Sequence, residues 1–455
     1  MVKNCDEYEV FMDKLVDMIK FLIPNYKKEG KMNRFFGIFG IIFIFLLAFL
    51  MSNNKKAINY KTVGTGFALQ ILLALFIFKV PFGRALFMNI GLFIQKILDF
   101  AKEGGSFVFG PLLDNYKLQI FGAGSNIFAL QLICSLIFMM ILVNILYYYG
   151  IMQRIIPVFG KAMNKLMKIS GAEALSNVAS ALVGQISAQI MIRPYLAKLT
   201  RSELLASMTG SMACISGATM PIYISLGIPA HYLLASSVMA IPGAMILSKI
   251  IYPETGTPET SENFTITYSK RRKPYINVFD AISSGASEGM KVAINVIAMI
   301  LALVALVAMI DWILGWGGNI IVKYFHLNFA SFDLTQLSLK MILGKIFALF
   351  AYLMGVPFNE ATTVGSLMGT KLVLNEMVAY VDLTNLPQQL SDKSFLIASF
   401  ALCSFGNFGS IAIQLGGIGE LAPNQRKNLA RLGVRALIAG TLSCYLSAAI
   451  VGILF

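Results

Sequence analysis

ELLASMTGSMACISG (Glu203–Gly217) and FLIASFALCSFGNFG (Phe395–Gly409) align without gaps, sharing Leu204 with Leu396, Ala206 with Ala398, Ser207 with Ser399 and Gly217 with Gly409. Upstream of each lies a second related pair, GAEALSNVASALVGQ (Gly171–Gln185) and GVPFNEATTVGSLMGT (Gly355–Thr370), which slips by one residue before its closing Gly-Gln and Gly-Thr. The chain thus carries one unit twice. Each copy is an apolar stretch interrupted by Gly, Ser, Thr and Asn, followed by a longer apolar run.

Composition says what surrounds these units. Of 455 residues, 57% are hydrophobic and 13% charged, against about 25% charged in a soluble domain. Lipid is therefore the solvent for most of the chain. A hydrocarbon core about 30 Å thick needs about 20 helical residues, and only helices satisfy their own backbone there. The apolar runs Phe35–Met51, Val63–Val80, Phe121–Tyr149, Glu203–Leu226, Leu233–Ile251, Met290–Leu314, Leu396–Leu415 and Ala430–Phe455 predict eight transmembrane helices. Ser176–Leu199 and Thr362–Leu383 are too polar to cross and read as re-entrant hairpins, whose irregular backbone is tolerated only under a cover of protein or cavity. The expected fold is an all-α polytopic membrane protein.

The expected organisation is an N-terminal extension (1–31), three scaffold helices (32–150), and a first repeat with an interfacial helix, hairpin and two helices (151–254). A basic loop, sixth helix and interfacial segment (255–345) lead to the second repeat (346–455). The stretch 1–31 reads either as an amphipathic surface helix or as lying before the real start at Met32. No removable signal peptide is read.

The formal charge of +14 does not point to nucleic acid, because the basic residues sit in short clusters between apolar runs. They read as topology signals. With the first span running inward, the inside receives Lys55, Lys56, Lys61, Arg154, Lys161, Lys249, Lys270–Lys273 and others, while the outside receives a minority including Arg84, Lys323 and Lys340. Both termini then lie outside and the two hairpins enter from opposite sides, the inverted-repeat arrangement of many secondary transporters. Substrate is expected between the repeats. Five cysteines without CxxC spacing argue against disulfides, and two distant histidines, His231 and His326, argue against a metal centre. No cofactor is expected.

Glu376, in GTKLVLNEMVAY (Gly369–Tyr380), is the ionisable residue that most needs explanation, since a charge in the membrane is a functional candidate by default. Asn375 and Lys371 flank it. Gly184-Gln185 on the first hairpin and Asn407 and Ser410 on the seventh span supply amides and hydroxyls, and Phe405 an apolar face. This set suits a ligand rich in hydroxyls and ring nitrogens. The bland alternative is that Glu376 pairs with Lys371. An enzyme would need a nucleophile with a base or metal partner, which the spans lack. Gly406 and Gly409 suggest an unwound segment, and Gly416, Gly417 and Gly419 close packing.

These residues resemble the concentrative nucleoside transporter family over nearly the whole chain after Met32. Gly184-Gln185, IRPYLAKL (Ile192–Leu199), SELLASMT (Ser202–Thr209), YISLGIPA (Tyr223–Ala230), ASSVMAIP (Ala235–Pro242), Tyr252–Glu254, Gly369–Tyr380 and NFGSIAIQLGGIG (Asn407–Gly419) carry the likeness. It implies a carrier of nucleosides at the inner membrane, coupled to protons or sodium, usually homotrimeric, with a mobile substrate domain alternating access against a scaffold. A carrier of another polar solute on the same scaffold is the second reading. The resemblance further implies that Glu376, Asn407 and Ser410 hold the ribose, that Gly184, Gln185, Ile186 and Ser187 face the base, and that Thr219 completes the substrate site. Relatives follow Gly-Gln with Thr-Glu, where this chain has Ile186 and Ser187. The implied sodium positions fall on Ser180, Val183, Cys214 and Ile215, with Ser180 replacing an asparagine and Cys214 a hydroxyl residue. Sodium prefers hard oxygen ligands, so weak or absent sodium dependence is expected.

Overall fold

Met32–Leu50 (α1), Tyr60–Phe78 (α2), Pro81–Phe109 (α3) and Phe128–Tyr148 (α4) open the computed structural model, which describes residues 32–113, 127–260, 275–325 and 337–455. The 1–31 extension, the beginning of the Phe121–Tyr149 span, Lys270–Lys273 and His326 lie outside the described residues. Helix α3 falls where no span was read. It carries Arg84, Lys96, Asp99, Lys102 and Glu103, and its apolar residues are spread too thinly for a crossing.

From here one element order runs twice. The first round is Met152–Met167 (α5), a hairpin of Gly171–Val183 (α6) and Gln185–Met191 (α7), the single turn Arg193–Leu196 (α8), a broken helix Arg201–Ala213 (α9) and Met220–Ser225 (α10), and the long Ala230–Ile251 (α11). Val278–Phe325 (α12) intervenes. The second round is Leu339–Leu353 (α13), a hairpin of Phe358–Val373 (α14) and Glu376–Thr384 (α15), a broken helix Asp392–Leu402 (α16) and Phe408–Leu421 (α17), and the long Arg426–Leu454 (α18). The chain bends by 119° between α13 and α14.

Two of the eight expected spans, Glu203–Leu226 and Leu396–Leu415, are therefore broken helices, the second where Gly406 and Gly409 had suggested an unwound segment. Residues 214–219 and 403–407 leave helical geometry, and Phe405 N–H donates to the Cys214 carbonyl at 3.3 Å, so the two breaks hydrogen-bond to each other. Hydropathy registers neither break, because a partner's backbone satisfies the freed groups inside the protein. Among the described residues five helices are long and apolar enough to cross a membrane, or six with the bent α13–α14 pair counted as one span. Phe36–Leu50 forms a shorter apolar helix.

Local signals explain where elements begin. Ser170 with Glu173 and Thr200 with Glu203 form capping boxes at α6 and α9, and Ser391, Asn375 and Asn407 cap α16, α15 and α17. The repeats make the core. The apolar stretch of α11 is 83% buried, whereas that of α12 is 12% buried, which places α11 and α18 at the centre and α12 at the periphery. Helix α12 lies on α4 through glycines: a Cβ at Gly285 would stand 2.7 Å from Ile141 Cα, and one at Gly289 2.6 Å from Ile137 Cα. At the hairpin base, buried Lys249 of α11 binds Glu173 of α6 at 2.7 Å and the Ser202 hydroxyl at 2.9 Å, tying three elements together.

Candidate functional site

Both hairpins change direction beside the two helix breaks. In the first, Gly184 turns the chain with φ +97°, a conformation that disfavours any residue with a Cβ, and Gln185 opens α7. In the second, Leu374 and Asn375 make the turn and Glu376 opens α15. Gln185 and Glu376 are thus equivalent positions. The sequence match had paired Gly184-Gln185 with Gly369-Thr370. Helix ends shift that register by six residues, because the turn is made by Gly184 in one hairpin and by Leu374-Asn375 in the other.

Glu376 is buried, and its carboxylate accepts from the Tyr223 hydroxyl at 2.8 Å and the Asn407 amide at 3.3 Å. Asn407 also caps α17, accepting the Ser410 N–H at 2.9 Å. The Ser410 hydroxyl donates to the Phe405 carbonyl and accepts from Gln185 Nε2 at 3.3 Å. One chain of contacts therefore links Tyr223 of α10, Glu376, Asn407, Ser410 and Gln185, drawing on both hairpins and both broken helices. Glu376 makes no hydrogen bond with Lys371, so the direct pair of the bland alternative is not formed.

Most other anticipated residues make their hydrogen bonds outside this chain of contacts. Ile186 packs against Gly417 of α17, which gives that glycine its packing role, and Ser187 is exposed. Thr219 Oγ1 lies 3.0 Å from the Ser216 hydroxyl. Ser180 donates to the Ser176 carbonyl at 2.8 Å and pairs with Ser211 at 2.9 Å. Gln189 donates to Ser211 and Ser176 and accepts from Ser207, forming a closed neutral network between α6, α7 and α9. The Cys214 thiol donates to the Gly210 carbonyl at 3.3 Å, the Ile215 carbonyl accepts from Ser237 at 3.4 Å, and Val183 is buried.

Sequence reasoning missed Tyr223 and the serine–glutamine network. Tyr223 was visible only within the YISLGIPA stretch, and its ring meets that of Tyr380 at 5.0 Å. Gln189 had no signal of its own. Among the described residues no cluster of His, Cys, Asp and Glu could hold a metal ion. A cavity of about 530 Å³ lies at the base of the first hairpin, bordered by Asn59, Lys165, Glu173, Lys249 and Glu254, and none of the anticipated site residues line it.

Three family models match consecutive parts of the chain. They describe the Na+-dependent nucleoside transporter N-terminus (39–112), nucleoside recognition (129–230) and the Na+-dependent nucleoside transporter C-terminus (232–452). An uncharacterized transporter of Bacillus subtilis, YutK, is 42% identical, covering 92% of this chain and 99% of the relative. The nucleoside permease NupC of Helicobacter pylori is 36% identical over 92% of this chain and 97% of its own. The solved structure of CNTnw in an inward-facing substrate-bound state superposes with TM-score 0.85 at 37% identity, covering 93% of this chain and 98% of the other. A doubly substituted CNTnw in an outward-facing state gives the same score. The relatives are transporters and permeases rather than enzymes, and with this identity over nearly its full length the chain is a multi-pass membrane protein that belongs to the concentrative nucleoside transporter family.

Proposed function

We propose that this protein imports nucleosides across the inner membrane by alternating access, and that Glu376, Asn407 and Ser410 hold the ribose while Gln185 faces the base. The observation that carries this reading is the Glu376 carboxylate, buried and, among the described residues, bonded by the side chains of two neutral donors, Tyr223 and Asn407. A carboxylate accepts hydrogen bonds at both oxygens, so vicinal hydroxyls can share it with, or take it from, these protein donors. Ser410 and Gln185 supply further donors and acceptors one step away. Gln185 stands on the first hairpin and Glu376 on the second, so a ligand touching both bridges the repeats.

The repeats are inverted in the membrane, the units run as 151–254 and 346–455, and the protein is a homotrimer. Lys55 faces the cytoplasm and Lys340 the outside, in keeping with the bias of Lys and Arg. Sodium coupling is weak or absent. Ser180 and Ser211 already satisfy one another, and Cys214 offers a thiol where a hard ion favours oxygen. Coupling to protons, or facilitated diffusion, takes its place.

Thermal-shift titration of the purified protein with nucleosides, free bases and sugars tests the substrate class. Stabilisation by nucleosides well above that by ribose or bases alone supports the reading. Stabilisation by a base or a sugar alone, with none by any nucleoside, would transfer the assignment to another polar solute.

A further inference from the structure

Gln185 and Glu376 each open the second limb of a hairpin, and each limb is a short helix, Gln185–Met191 in the first and Glu376–Thr384 in the second. Such helices are too short to hold themselves in place. Their depth and rotation are fixed by side chains one turn further on. Four residues after Gln185 and Glu376, on the same face of each helix, stand Gln189 and Tyr380, both fully buried.

Gln189 closes a ring of hydrogen bonds. Its Nε2 donates to Ser176 Oγ at 3.2 Å, the Ser207 hydroxyl donates to its Oε1 at 2.8 Å, and the Ser176 and Ser207 hydroxyls lie 2.6 Å apart. Nε2 also donates to Ser211 Oγ at 2.9 Å, so both amide protons and the amide oxygen are engaged by α6 and α9. Tyr380 makes one bond, from its hydroxyl to the Ser399 carbonyl of α16 at 2.7 Å. Ser207 and Ser399 are paired positions in the gapless match of the two broken helices. The hairpin turns make Gln185 equivalent to Glu376, and the broken helices make Ser207 equivalent to Ser399. These two equivalences are independent, and they meet at one contact: in each repeat the side chain four residues after the ligand-facing one is bonded to the same serine.

We propose that Gln189 and Tyr380 are positioning residues for substrate recognition: each pins the second limb of its hairpin to the broken helix of its own repeat, so that Gln189 sets Gln185 against Ser410 and the base while Tyr380 sets Glu376 against the ribose. The inference rests on the assignment of Gln185 to the base and Glu376 to the ribose. The two anchors are built alike and act on opposite ends of the ligand. Tyr380 reaches the carboxylate by a second route as well, because its ring meets that of Tyr223 at 5.0 Å and the Tyr223 hydroxyl donates to Glu376 at 2.8 Å.

The test is equilibrium binding of uridine and of deoxyuridine, which lacks one ribose hydroxyl, to the purified protein. The parent prefers uridine, whose vicinal hydroxyls both reach Glu376. Tyr380→Phe keeps the ring and removes the anchoring hydroxyl; uridine affinity falls about fivefold, the effect of one lost hydrogen bond, deoxyuridine affinity falls less, and the preference shrinks. Gln189→Leu lowers both affinities alike and keeps the preference, and combining it with Gln185→Ala gives binding no weaker than Gln185→Ala alone. Ser211→Ala removes one acceptor of the Gln189 amide and shows the same pattern with a smaller loss, which supplies the test if Gln189→Leu does not accumulate. Losses that add in the double variant, or a Tyr380→Phe protein that loses both ligands equally, overturn the proposal and leave these residues a merely structural role. A parent indifferent to the missing hydroxyl, or a Gln185→Ala protein with parental affinity, would instead defeat the assignment of Glu376 or of Gln185, and this inference with it.

Discussion

The two hairpins share one backbone plan and differ in charge. Each ends a first helical limb at a turn next to a helix break, and each opens its second limb with a residue linked to the seventh span: Gln185 to Ser410, and Glu376 to Asn407. Behind Gln185 stands the closed set of Ser176, Ser180, Ser207, Ser211 and Gln189, all neutral and bonded to one another. Behind Glu376 stands Lys371, without an acceptor among the described residues. In the neutral half, the side chains directly behind the first turn are therefore bonded to one another, whereas in the ionic half an unpaired ammonium stands behind the second. A duplicated unit fixes where two hairpin turns meet. Which of them holds an ion or a hydroxyl-rich ligand is decided by a few side chains behind each turn.

The largest expected effect falls on the ionic half. Glu376→Gln and Asn407→Ala each remove a polar partner from a dehydrated site, where an unpaired group costs about 1–3 kcal/mol, and each lowers nucleoside uptake more than tenfold at normal membrane abundance. Parental uptake by both variants would show that the second hairpin does not hold the ligand. Tyr223→Phe deletes one of two donors to the same carboxylate but leaves Asn407 in place. The expected loss in affinity is about five- to tenfold, in line with roughly 1–1.5 kcal/mol for one hydrogen bond, measured by equilibrium binding. An unchanged affinity would mean that the ligand displaces Tyr223 entirely.

On the neutral half the effects are smaller and structural. Gly184→Ala forces a Cβ into a φ of +97° and to 3.3 Å from Ser216 Cβ. The expected loss is about 1–2 kcal/mol of stability, read as a lowered midpoint in thermal unfolding in detergent. An unchanged midpoint would show that the first turn relaxes freely and that the two hairpins differ in rigidity as well as charge.

Much of this was legible in the sequence, and what was not has physical causes. Apolar runs located the helices, because only helices satisfy their backbone in lipid. The repeated unit was visible in small and polar residues interrupting those runs, and one element order runs twice in the structure. Glu376, Asn407, Ser410 and Gln185 were singled out together, and the structure brings them together. The helix break at 214–219 stayed hidden because apolar residues continue through it, whereas Gly406 and Gly409 had marked an unwound segment at 403–407, and a contact between the breaks, Phe405 to Cys214, satisfies part of their backbone. Tyr223 was missed because an aromatic in an apolar run looks like core. Its partner is 153 residues away. The serine–glutamine network was missed for the same reason: each serine is unremarkable alone, and its meaning lies in three helices meeting. Helix α3 escaped because its charges interrupt the apolar pattern, although it packs against α4 and α11.

The central claim is that the neutral half no longer serves sodium, so that concentration of nucleoside, if it occurs, draws on protons. Proteoliposomes holding the purified protein, loaded without sodium and given labelled uridine or adenosine, receive either an inward sodium gradient or an inward proton gradient. The account predicts that the sodium gradient adds little or nothing over equilibration, and that any accumulation above it follows the proton gradient and collapses with a protonophore. Accumulation that saturates with sodium and ignores pH would contradict it, and would show that backbone carbonyls around Val183 and Ile215 suffice to bind the ion despite Ser180 and Cys214.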